Sequence, residues 1–89
     1  MLERELIVSN KLGLHARATA KLVQTLSGFA ANATLMAKGR EVNAKSIMGV
    51  MLLAAGQGTP VTVRVDGGDE AQAMAAVVEL FERNFDEAQ

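Results

Sequence analysis

The chain has 89 residues, the size of one domain, and 49% of them are apolar, enough for one core and not for two, so residues 1–89 are expected to fold as one domain. The formal net charge is -1 with basic and acidic residues interleaved, and Tyr and Trp are absent, which removes both the basic footprint and the stacking platform of a nucleic-acid binder. With no cysteine and a single His, neither a disulfide framework, thiolate chemistry nor a metal site is expected, and no cofactor is implied.

From Leu2 to Val8, Leu2, Leu6 and Val8 fall on one side, interrupted by Arg4, and predict a first strand. Gly13 breaks the chain, and Ala16, Ala20, Val23 and Leu26, flanked by Leu22, predict an amphipathic helix from Ala16 to about Ser27, stopped near Gly28. Residues 32–37 and 40–43 read as paired strands joined by a Lys38-Gly39 turn. Ser46 is a good cap for a short helix through Ile47–Leu53, ended by Gly56 and Gly58. After Pro60, Val61, Val63 and Val65 alternate with Thr62, Arg64 and Asp66, the clearest strand in the chain. Asp69 can cap a last helix on which Met74, Val77, Val78, Phe81 and Phe85 recur at helical spacing, while Asp69, Glu70, Glu79 and Glu82 read as a solvated face. Strands with interleaved helices in this order suit an antiparallel or mixed sheet with helices on one face. No apolar run approaches the ~20 residues of a membrane span and the chain starts with charges, so no membrane insertion and a cytoplasmic location are expected.

Chemistry concentrates in Asn10-Lys11-Leu12-Gly13-Leu14-His15-Ala16-Arg17, which places the only imidazole where a strand-to-helix loop becomes the first helical turn. Unpaired backbone amides of Ala16, Arg17 and Ala18, the positive end of the helix and the Arg17 guanidinium together make an anion site touching His15. The same positive field favours the neutral, nucleophilic ring over the imidazolium. The plain alternative is a histidine that only caps the helix. Gly56-Gln57-Gly58 reads as a loop, because no Walker-type or dinucleotide glycine pattern accompanies it.

The run from Asn10 to Arg17 resembles the active-site signature of the HPr family, the histidine-containing phosphocarriers of the bacterial phosphotransferase system. Asn43-Ala44-Lys45-Ser46-Ile47-Met48-Gly49-Val50-Met51 looks like the same family's second signature, in the same order and spacing. The resemblance implies an α+β, open-faced sandwich: a four-stranded antiparallel sheet with three helices on one face. It implies that His15 accepts a phosphoryl group from phosphorylated Enzyme I and passes it to an EIIA-type acceptor, sugar-specific or nitrogen-related, with Arg17 steadying the phosphate. The protein would then be a monomeric, stoichiometric reactant and not an enzyme.

The resemblance also makes Ser46 a site of regulatory phosphorylation by an HPr kinase/phosphorylase, beside its plain reading as a helix cap. Leu14, Ile47, Met48, Met51 and Leu52 read as core by composition. Because the resemblance sets the Ser46 helix beside His15, they are also candidate partner contacts, Met48 and Met51 foremost. Departures from the family pattern are Ala18, where many relatives have proline, and Gln24, Ser27 and Gly49, where some carry lysine, which weakens steering of an acidic partner. The tail from Leu80 to Glu87 looks somewhat like the nitrogen-related branch. Two rival readings are a regulatory protein that works by docking alone, which could lose His15 without penalty, and a small-ligand module, which only the architecture supports.

Overall fold

The computed structural model describes residues 1–87. In chain order it contains β1 (Leu2–Ile7), α1 (Ala16–Ser27), β2 (Asn32–Ala37), β3 (Arg40–Asn43), α2 (Ile47–Leu52), β4 (Pro60–Asp66), α3 (Glu70–Glu82) and a 3-10 turn at Asn84–Asp86. The strands form one antiparallel sheet in the order β1-β4-β2-β3, so the strongest strand read from sequence, β4, lies inside it between β1 and β2. Alternation then divides the faces: Val61, Val63 and Val65 of β4 and Ala33, Leu35 and Ala37 of β2 point into the core, while Thr62, Arg64, Thr34 and Met36 line the open face. Lys38 (φ 53°) and Gly39 (φ 76°) turn β2 into β3 as a two-residue hairpin with both φ values positive.

The helices cover the apolar face with Leu22 and Leu26 of α1, Val50 of α2 and Val77, Leu80 and Phe81 of α3, all nearly inaccessible. The buried stripe of α1 is rotated from the expected one. It consists of Ala18, Thr19, Leu22, Val23 and Leu26, leaving Ala16 exposed and Ala20 half-buried. Burying the two leucines contributes far more than burying an alanine methyl, so they set the rotation of the helix.

Asp69 and Glu70 also depart from expectation. Asp69 sits at the start of α3 but makes no capping bond; its carboxylate accepts the amides of Ala30 (2.8 Å) and Ala31 (2.9 Å), tying the loop between α1 and β2 to the start of α3. Those amides, Ala30's first, hold the carboxyl below its ordinary range. Glu70 accepts the amide of Gly67 (3.0 Å), so this end of the expected acidic face is structural.

Phe85, expected on the last helix, lies beyond it. Asn84, Phe85 and Asp86 have φ of 53°, 56° and 58°, so the chain turns left-handed and doubles back after α3. Each such residue costs about 1–2 kcal/mol. The turn is held where Phe85 buries its ring against Phe81, with centroids 4.9 Å apart, a burial that offsets about 2–3 kcal/mol. Ser9 Oγ donates to Asn84 Oδ1 (2.6 Å), and Lys21 and Arg83 both bond Asp86 (3.2 and 2.8 Å).

Gly13 fixes the loop between β1 and α1. Its φ is +68°, and a Cβ there would stand 2.6 Å from the Ala55 carbonyl oxygen and 2.7 Å from Gly56 Cα, whereas a Cβ on Gly39 would meet nothing within 4 Å. Gly13→Ala is therefore expected to lose about 2–4 kcal/mol of unfolding free energy and Gly39→Ala about 1 kcal/mol. Urea unfolding of both variants checks this; equal losses would contradict the close approach at Gly13.

Candidate functional site

The segment after β1 must cross from the sheet to the helix layer, and most of its buried polar groups find partners on the way, Asn10 Oδ1 being the exception among the described residues. Asn10 is wholly buried, and its side-chain amide donates to the Gly13 carbonyl (2.7 Å), closing the loop from within. Leu14, buried in the core, donates its amide to the Ala55 carbonyl (2.8 Å), which joins this loop to the segment after α2. Thr19, also buried, donates its hydroxyl to the Leu14 carbonyl (3.1 Å). His15 is thereby set as the N-cap of α1.

The first helical hydrogen bond runs from Thr19 N to His15 O (2.9 Å), so the amides of Ala16, Arg17 and Ala18 precede the ladder. Arg17 N–H donates to His15 Nδ1 at 3.3 Å, the long end of the hydrogen-bond range. The other ring nitrogen, Nε2, lies 3.0 Å from Glu87 Oε2. Two acceptors would repel at that distance, and Nδ1 already accepts the hydrogen bond of Arg17 N–H, so the tautomer that satisfies both contacts carries its proton on Nε2, which then donates a hydrogen bond to Glu87. Glu87 is fixed independently of the ring, because Asn10 Nδ2 donates to Oε2 (3.0 Å) and Leu12 N to Oε1 (3.1 Å). The Asn10 amide first, then the Leu12 N–H and His15, hold the Glu87 carboxyl below its ordinary range against the opposing effect of partial burial. Between the start of α1 and the returning tail lies an open hollow of about 550 Å³, lined by Leu12, His15, Ala16, Arg17, Ala18, Phe85 and Glu87.

His15, Ala16, Arg17 and Ala18 are thus brought together. Ser46 lies on another element as the N-cap of α2, its hydroxyl accepting the Gly49 amide at 3.1 Å. The candidate contacts divide: Ile47, Met48, Met51 and Leu52 are 47%, 80%, 44% and 64% exposed, whereas Leu14 is 6% exposed and belongs to the core, its side chain turned inward by the same turn that presents His15. Leu12, 66% exposed beside the hollow, was not among the residues that sequence reasoning selects. Glu87 was also missed as a site residue, because no periodicity reaches across 72 positions to the imidazole. Among the described residues no cluster of His, Asp and Glu could hold a metal ion, and no helix is long and apolar enough to cross a membrane.

The family model for the PTS HPr component phosphorylation site matches residues 2–83. The chain belongs to the HPr family of the phosphotransferase system. Phosphocarrier protein HPr of Xylella fastidiosa (strain 9a5c) is 74% identical over 87 residues, 98% of each chain, and that of Cupriavidus necator is 51% identical over the full length of both. Among solved structures, HPr from Thermoanaerobacter tengcongensis superposes with a TM-score of 0.96 at 43% identity over all of both chains. HPr from Bacillus anthracis gives 0.84 at 40% identity, covering 88% of this chain and 93% of its own. The open-faced α+β sandwich is the fold of the family.

Because the folded state depresses the Glu87 carboxyl, its tail contact contributes stability above the ordinary glutamate value and loses it as pH falls through the lower folded value. Following the Leu12 amide by NMR during acidification is expected to give a midpoint below about 4.3. A midpoint at or above that value would contradict the three-donor clasp.

Proposed function

We propose that this single-domain protein is a cytoplasmic phosphocarrier of the phosphotransferase system. His15 takes a phosphoryl group from phosphorylated Enzyme I and passes it to an EIIA-type acceptor, sugar-specific or nitrogen-related, with the protein acting as a monomeric, stoichiometric reactant. One observation carries the reading: within the family's phosphorylation-site region, His15 Nδ1 opens onto the first amides of α1, its only partner among the described residues being the long bond from Arg17 N–H. That weak bond yields readily to phosphorus, and the freed Arg17 amide then has a phosphoryl oxygen to bond, alongside those of Ala16 and Ala18 and the Arg17 guanidinium. Phosphoryl transfer demands positioning and charge stabilisation more than covalent chemistry, so half a site on each partner is sufficient.

Incubation with Enzyme I, magnesium and labelled phosphoenolpyruvate is expected to place acid-labile label on the wild type and none on His15→Ala, with Arg17→Ala loading at least about tenfold more slowly. An unlabelled wild type, beside a control HPr that charges normally, would overturn the reading in favour of docking alone.

The exposed apolar surface of α2 supports a docking role for Ile47, Met48, Met51 and Leu52, since its following loop is bonded to Leu14, next to His15. Flexible methionines suit a face that must fit several partners in turn. Ser46 heads this helix, and phosphorylation there by an HPr kinase/phosphorylase would add negative charge to that face, a regulatory device acting by repulsion. Ser46→Asp and Met48→Asp are both expected to slow loading by Enzyme I several-fold; rates equal to the wild type in both would remove α2 from the docking surface.

A further inference from the structure

The phosphocarrier reading assigns work to one side of the imidazole only. On the other side stands a carboxylate that the family match, ending at residue 83, does not include. We propose that Glu87 is a positioning residue for phosphoryl transfer: it accepts the Nε2 proton of His15, fixes the tautomer that leaves Nδ1 nucleophilic, and remains as counter-charge when the phosphorylated ring becomes cationic. This inference rests on the phosphocarrier reading of His15.

The geometry is built for the purpose before any partner arrives. Asn10 and Leu12 hold both carboxylate oxygens, and the His15 and Glu87 side chains are 29% and 13% exposed, so the contact is largely shielded from water while His15 still lines the open hollow at the start of α1. The left-handed turn at residues 84–86, with Phe85 buried beneath it, returns the chain to this position. A conformation unfavourable for three non-glycine residues in succession persists only where surrounding contacts over-determine it, here the Phe81–Phe85 packing and the bonds to Asn84 and Asp86.

The chemistry balances without any proton leaving the ring. On loading, the Nδ1 lone pair forms the bond to phosphorus while the bond from phosphorus to the donor breaks, its electron pair staying with the donor. The ring keeps its Nε2 proton and so gains one positive charge, which Glu87 faces at hydrogen-bond distance. On discharge, the acceptor's nucleophile bonds phosphorus, the Nδ1–P pair returns to Nδ1, and the ring leaves as neutral imidazole. Were the Nε2 proton lost between the two steps, the leaving group would be imidazolate, a much stronger base and a poorer leaving group. Holding that proton therefore speeds onward transfer, and fixing the tautomer aids loading.

The test uses the full chain with ¹⁵N-labelled histidine as wild type, Glu87→Gln and Glu87→Ala. In the unphosphorylated proteins at alkaline pH, the wild type is expected to show a protonated Nε2 and an unprotonated Nδ1. Glu87→Gln, whose amide oxygen can still accept the proton, is expected to keep this pattern, and Glu87→Ala to show the averaged shifts of mixed tautomers. From the isolated phosphoproteins, transfer to an EIIA-type acceptor is expected to slow about tenfold in Glu87→Ala, the rate equivalent of one charge-assisted hydrogen bond, and by less in Glu87→Gln. Three proteins that load alike, share one tautomer pattern and discharge at one rate would overturn the role of Glu87 and leave the phosphocarrier standing. A wild type that never loads would overturn both.

Discussion

The arrangement of this molecule depends on a turn of four residues, Gly13 to Ala16, in which the chain leaves the sheet layer and enters α1. Gly13 takes a left-handed conformation against the Ala55 carbonyl, Leu14 is driven into the core, and His15 is left as the helix cap with one nitrogen facing the helix amides. These are one constraint seen at three residues, because burying Leu14 and capping with His15 require the backbone reversal that Gly13 alone supplies. The apolar face of the sheet, the packing of α1 against α2 and α3, and the buried Asn10 all serve to hold that turn still.

From that turn the chemistry follows with little further apparatus. A helix start supplies oriented donors and positive potential without placing a buried cation, and a half-exposed imidazole can present its nucleophilic nitrogen to a partner's site. In the proposed function the protein contributes pre-orientation, which a carrier needs if donor and acceptor are to use the same atom in opposite directions. Contacts from this chain alone hold the ring in place on both nitrogens.

Much of this was legible from the residues. The alternation at Val61, Val63 and Val65, the Lys38-Gly39 turn and the Ser46 cap each state their structure locally, and His15 and Arg17 fall at the helix start where the sequence sets them. What the sequence hid is non-local. The rotation of α1 is decided by which side chains find most burial against the sheet, and Leu14 and Met48 look alike until the fold sends one inward and one out. Asp69 has the composition of a helix cap, yet the amides it serves belong to Ala30 and Ala31, brought near only by the fold. Glu87 is the extreme case: its contact with His15 depends on a left-handed turn at three residues with no glycine among them, a conformation local propensity argues against.

The central claim is that one particular atom, Nδ1 of His15, carries the phosphoryl group. The most direct test is ¹⁵N–³¹P NMR of the ¹⁵N-histidine-labelled protein after charging by Enzyme I and phosphoenolpyruvate. A one-bond coupling between phosphorus and Nδ1, with none to Nε2, is the predicted result. Phosphorus bonded to Nε2, or to a residue other than His15, would contradict it.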